Sequence, residues 1–184
     1  AGEASVTKRG RLGASLAEAE IDAAVLTLPD SIAWLLNIRG GDIPRNPVPL
    51  VFAILRSTGA TTLLANPEKV DTQMKDQLGR DVAILPKAAL TEALGALGEQ
   101  RVSLDPGSCP IAIARLIEAA GGEVVWRTDP CVLPKARKND VEIQGARDAH
   151  LRDAAAVTRF LRWLDEAAPS GALTEIDVAR RLET

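Results

Sequence analysis

Arg39, Gly40, Gly41 and Asp42 stand in a row behind Asn37 and Ile38, so a cation and an anion flank two glycines. Glycines let a backbone turn sharply and approach a ligand closely. Arg39 could donate to a carboxylate or carbonyl, and Asp42 could accept from an amine. The plainer reading is that the two pair with each other and fix a connecting loop. Just downstream, Pro44, Pro47 and Pro49 restrict the backbone around Arg45 and Asn46 and could present both rigidly. A stiff lead-in to a strand would use the same prolines. Arg39, Gly40, Asp42 and Asn46 are therefore the candidate site residues.

Other chemistries find little material. Cys109 and Cys131 do not form a metal-type C-x-x-C pair and read as two buried free thiols of a reducing compartment. His150 is the single histidine, too few for an imidazole-based zinc site, and it sits on a helical stripe where a packed or interfacial role is expected. Ser57, Ser103 and Ser108 lie near turns, but none occupies a G-x-S-x-G elbow. No glycine pattern meets the phosphate-cradling templates. Asp140, Glu142, Asp148, Asp153, Asp165 and Glu166 alternate with Arg147, Arg152, Arg159 and Arg162, which reads as a solvated ion-pair face. No catalytic residue and no metal ligand is expected in the chain.

The composition narrows the partners. A chain of 184 residues, 46% of them hydrophobic, can bury one main domain and carry an appendage. The net charge is -3 with both signs interspersed, unlike the clustered basic face of a nucleic-acid binder. Aromatics make up 3% and tyrosine is absent, which leaves no stacking platform for single strands. No apolar run approaches the roughly 20 residues that span a bilayer. The start lacks the charged and apolar regions of a signal peptide. Neither nucleic acid nor membrane is an expected partner.

The elements that must position the loop alternate as in an α/β domain. Leu12, Leu16 and Ile21 recur at helical spacing over residues 5–20. Residues 23–28 form a short apolar run stopped by Pro29, read as a buried strand, and Asp30 is expected to N-cap a helix over 31–36. After the glycine- and proline-rich loop 37–49, runs 50–55 and 61–65 flank a glycine-containing turn, a hairpin signal. Asn66 and Pro67 carry the N-cap and N1 chemistry of a helix reaching about Leu78. Strand 82–85 leads to helix 87–97, and strand 101–105 leads to helix 110–120, which Gly121 and Gly122 should end. A last strand covers 123–127, giving a mixed sheet covered by helices.

The composition breaks at residues 129–134. Beyond it, apolar positions from Ile143 to Leu164 recur in steps of three and four, predicting one amphipathic helix of about seven turns over residues 140–166. Its stripe must pack on the α/β domain or belong to a second, mostly missing domain. Residues 168–171 break the helix, and Thr174 with Asp177 restarts one in capping-box style.

Two clusters resemble one family, the three-domain Xaa-Pro aminopeptidases (aminopeptidase P). Ile32, Ala33, Trp34, Leu35, Leu36, Asn37, Ile38, Arg39, Gly40, Gly41 and Asp42, with Asn46, Pro47 and Val48, are similar to that family's middle domain. Residues 134–139, Glu142, Gly145, residues 149–153, Trp163, Leu164 and residues 173–176 resemble its passage into the catalytic domain. The resemblance runs in order along essentially the whole chain. It implies an α/β creatinase N-terminal fold, akin to ribonuclease H, for residues 1–134, and the first helices of a truncated pita-bread metallopeptidase domain for 135–184.

It also implies a parent enzyme, cytoplasmic and homo-oligomeric, that holds two divalent ions, usually manganese. That enzyme releases the N-terminal residue from peptides with proline second. The family's two Asp, one His and two Glu ligands would lie past Thr184, so the chain alone is expected to hold no cofactor and to be inactive. Arg39, Gly40, Asp42 and Asn46 would face the substrate cleft, and Lys135 with Lys138 would mark the domain junction. Gly41, Ile43, Pro44 and Arg45 depart from the family's loop. A non-catalytic binding module, or a prolidase or creatinase relative on the same fold, is the alternative.

Overall fold

The computed structural model describes residues 2–183; Ala1 and Thr184, the outer ends of the two expected spans, lie outside the described residues. The chain folds as two compact units, a larger one of essentially residues 3–137 and a smaller one that begins at Lys138.

The larger unit is built on six strands: β1 (Ala23–Leu26), β2 (Phe52–Arg56), β3 (Thr61–Leu64), β4 (Val82–Leu85), β5 (Arg101–Leu104) and β6 (Glu123–Trp126). Their order across the sheet is β4-β3-β2-β1-β5-β6. β1 pairs antiparallel with β2, and β2 with β3, whereas β3–β4, β1–β5 and β5–β6 are parallel. All four residues of central β1 are buried, as a strand covered on both faces requires.

Alternate side chains feed two cores. Ala24, Leu26, Ala53, Leu55 and Leu63 face a layer that includes α1 (Ser5–Glu18), α2 (Pro29–Leu36) and α3 (Thr72–Leu78). Ala23, Val25, Ile54, Leu64, Val102 and Leu104 face α4 (Leu90–Gly95) and α5 (Ile111–Ala119). The arrangement is the mixed α/β sheet covered by helices that the sequence predicts.

Several local expectations give way to tertiary packing. Asp30 does not cap α2; the helix starts at Pro29, and the Asp30 carboxylate pairs with Lys135 instead. The helix expected from Asn66 splits. Pro67–Lys69 makes one 3-10 turn, Val70 turns extended to bury its side chain, and Asp71 restarts the chain as α3 by accepting from the Met74 N–H at 2.8 Å. The expected helix 87–97 likewise begins as a 3-10 turn, Lys87–Ala89, before α4. The compositional break is not a bare linker, because α6 (Val132–Ala136) forms there and packs on α2. Cys131 is buried as expected, but Cys109 is only half-buried.

The smaller unit is a helical pair, α7 (Asp140–Ala167) and α8 (Glu175–Leu182). Each starts with a capping box, Asn139 with Glu142 and Thr174 with Asp177. Arg181 lies 5.5 Å from the Trp163 ring centre, tying the end of α8 to α7. Ile143, Val157 and Leu161 of the α7 stripe are exposed, and so is His150, which is not a packed histidine. Among the described residues no helix is long and apolar enough to cross a membrane.

Candidate functional site

The candidate loop leaves the sheet through α2, and the end of that helix is held tightly. Asn37 adopts the left-handed conformation at φ 56°, and the N–H groups of Asn37 and Ile38 reach back to the carbonyls of Trp34 and Ala33. That is the Schellman closure, with asparagine where glycine is usual. The Asn37 side chain is gripped on both ends: its Nδ2 donates to the Glu3 carbonyl at 2.9 Å, and its Oδ1 accepts from Lys8 Nζ at 2.8 Å. Lys8 Nζ also donates to the Trp34 carbonyl at 2.7 Å and lies 4.4 Å from the Trp34 ring centre. Lys8 is 1% exposed, so a buried ammonium from α1 fixes the point from which the loop departs.

Beyond Asn37, Ile38 is buried and Arg39 is exposed, its Nη1 donating to the Ile38 carbonyl at 2.9 Å. Gly40 donates its N–H to the Pro47 carbonyl at 3.3 Å and lies flat on Pro49. A Cβ at Gly40 would sit 2.7 Å from the Pro49 Cα and N, so only glycine fits there. Asp42 is the anchor of the loop. Its Oδ2 accepts from the Leu50 N–H at 2.8 Å, and its Oδ1 is paired with Lys69. The Lys69 hydrogen bond, followed by the Leu50 N–H, holds the Asp42 carboxyl below the usual carboxylate range. The simple tie between Arg39 and Asp42 does not form.

These residues line one pocket of about 340 Å³. Its floor is apolar, with Val51, Val70 and Met74 prominent, and its rim carries Arg39, Asp42, Lys69 and Lys87. Asn46 is not part of it. Asn46 lies exposed on the turn that Arg45 makes at φ 64°, with its backbone paired to Ile43.

Sequence reasoning missed Lys69, Met74 and Lys87, which no local spacing links to residues 39–42. A topological signal was present. Lys69 and Lys87 each follow the carboxyl end of a strand, β3 and β4, that pair in parallel, and α/β sheets bind ligands at such edges. Because β2 runs antiparallel to β3, Leu50 and Val51 enter β2 at that same edge.

The site does not suit a metal pair. Among the described residues no three His, Cys, Asp or Glu side chains gather where an ion could be held. The one carboxylate in the pocket rim, Asp42, is committed to Lys69 and Leu50. Cys109 has its thiol pushed up to about 11, by burial first and by Asp105 second, and burial pushes Cys131 well up too. Neither is a nucleophile at neutral pH.

A family model described as the creatinase/prolidase N-terminal domain matches residues 1–142. The chain belongs to that family. The chain is 33% identical over 188 residues to Xaa-Pro aminopeptidase 1 of Dictyostelium discoideum, covering 99% of the chain and 29% of that protein. It superposes on the X-prolyl aminopeptidase of Caenorhabditis elegans, described as a cytosolic enzyme with a di-nuclear active site, with a TM-score of 0.88 and 32% identity. That match covers 98% of the chain and 30% of the enzyme. An Xaa-Pro dipeptidase from Bacillus anthracis shares the fold at TM-score 0.71 and 19% identity, over 97% of the chain and 48% of the dipeptidase. The chain thus spans less than a third of the length of the curated relatives it matches.

Proposed function

We propose that this chain serves a metal-dependent Xaa-Pro aminopeptidase as its non-catalytic scaffold, with the loop of Arg39, Gly40, Asp42 and Asn46 at the substrate cleft. The enzyme releases the N-terminal residue from peptides whose second residue is proline, is cytoplasmic and homo-oligomeric, and uses two manganese ions. Residues 1–134 are its creatinase-type middle domain, and 135–184 open its pita-bread catalytic domain. The observation that carries this reading is the similarity to Xaa-Pro aminopeptidases along almost the whole chain, across both compact units.

The described residues do not form a metal centre, so the ligands would come from the part of such enzymes that this chain does not span. What the chain itself contributes is rigidity. Asn37, gripped by Lys8, and then Gly40 and Asp42 hold the loop at three successive points, which favours a wall against which a substrate is oriented.

The test is hydrolysis of Xaa-Pro peptides by the protein encoded by the whole reading frame, with and without added manganese, alongside the 184-residue chain. Manganese-dependent release of the first residue is expected from the former alone. Cleavage by the chain, or none by the whole protein, would overturn the assignment.

A further inference from the structure

We infer that the pocket beside Arg39 binds the carboxylate-bearing end of a short peptide, with an apolar side chain on its floor and the carboxylate at Arg39 and Lys87. The inference rests on the peptidase reading for the kind of ligand, and on the pocket alone for the chemistry. Three observations carry it. First, the floor is apolar: Val51, Ala65 and Val70 are each buried in the protein core yet open into the pocket. Second, the rim is cationic. Arg39, Lys69 and Lys87 face one acid, Asp42, and that acid is neutralised by Lys69.

Third, the two remaining cations have capacity to spare. A guanidinium carries five N–H donors in a fork that matches a carboxylate, and Arg39 spends one of them on its own chain, at the Ile38 carbonyl. The Lys87 ammonium makes no hydrogen bond among the described residues, and the residue lines the pocket beside Asp42.

Size and sign then choose the ligand. A volume of about 340 Å³ is at the low end of small-molecule sites, which span roughly 300–1,000 Å³, so one or two residues fit and a long segment does not. A free amine at the mouth would meet Arg39 and Lys87 with the one opposing charge already engaged. A carboxylate meets two cations and leaves Asp42 undisturbed. The assigned occupant is the C-terminal residue or two of a short peptide, not its amino end.

The experiment titrates the 15N-labelled 184-residue chain with the tripeptide Ala-Pro-Leu as free acid and as C-terminal amide, following the amides of Gly40, Gly41, Leu50 and Val70. The free acid should bind about tenfold more tightly than the amide, equivalent to about 1.4 kcal/mol. Its advantage should shrink as salt screens the exposed rim. Arg39→Gln and Lys87→Gln should each bring the acid towards the amide while leaving the rest of the spectrum, and hence the fold, unchanged.

Equal binding of acid and amide would overturn the inference. So would saturable shifts elsewhere in the chain with none at the four pocket amides, or no shifts anywhere. Because binding is read without catalysis, failure of the whole protein to cleave Xaa-Pro peptides would sink the peptidase reading and leave this result to stand or fall separately.

Discussion

Replacing Lys8 with methionine is the sharpest test of how the candidate loop is held. Methionine keeps the length of the side chain and is a comparable helix former, so α1 should persist. What disappears is one buried positive charge, its contact with the Trp34 ring and, among the described residues, its hydrogen bonds to the Trp34 carbonyl and to Asn37 Oδ1. Hydrogen bonds from a charged group contribute about 1.5–3 kcal/mol each, giving a gross loss of roughly 3–6 kcal/mol. Removing the ammonium also removes its desolvation cost, several kcal/mol for a buried ion, which offsets part of that loss. A net destabilisation of about 2–4 kcal/mol is expected, large against a typical total of about 5–15 kcal/mol.

The assay is urea unfolding followed by tryptophan fluorescence in a Trp163→Phe background, leaving Trp34 and Trp126 to report on the larger unit. The midpoint should fall by about 1–2 M. Amide exchange at Gly40 should quicken, because Asn37 no longer fixes the root of the loop. A midpoint at or above that of the parent would refute the reasoning, since burial of Lys8 would then cost more than its bonds return.

Four further outcomes follow from single contacts. Gly40→Ala should lose about 1–3 kcal/mol by driving a Cβ into Pro49, whereas Gly41→Ala, which meets nothing within 4 Å, should be near neutral in the same urea assay. The Asp42 carboxyl, depressed by Lys69 and Leu50, should anchor the loop fully above about pH 4 and release it as pH falls through its lowered folded value. The Leu50 amide shift should follow that titration, and Asp42→Asn should abolish it. Alkylation of the native chain at about pH 7 should be far slower than that of a free thiol, because Cys109 at about 11 is thiolate only on the order of one part in ten thousand and Cys131 is buried. Thr174→Ala should cost about 0.5–2 kcal/mol of α8 stability, read as faster exchange at the Asp177 amide that Thr174 now caps.

The sheet was legible because its residues leave few choices. Ala23, Ala24, Val25 and Leu26 can be buried on both faces only in a central strand, and Gly59, at φ +85°, marks the hairpin turn between β2 and β3. Thr174 with Asp177 announced α8, and Asn139 with Glu142 carries the same signal for α7, a cap that sequence reasoning missed. Misreadings arose where two local signals competed. Asn66 and Asp71 both resemble N-caps; Val70 decides between them by turning into the core, and that preference comes from residues far away in sequence.

The same asymmetry governs the site, and there it changes the chemistry. Within residues 39–42 the nearest opposite charge to Asp42 is Arg39, so a local tie between them is the economical reading. The fold supplies a better partner, because the chain leaving β3 brings Lys69 onto Asp42 while Arg39 curls back onto the Ile38 carbonyl. A pair that looked self-cancelling becomes one anchored anion and one cation with donors to spare. Lys87, arriving from the end of the neighbouring strand β4, adds a second cation to the same mouth. The residue types of the loop could be read from its own sequence. The sign of the charge it presents could not, because that sign is set by two lysines delivered by parallel strands.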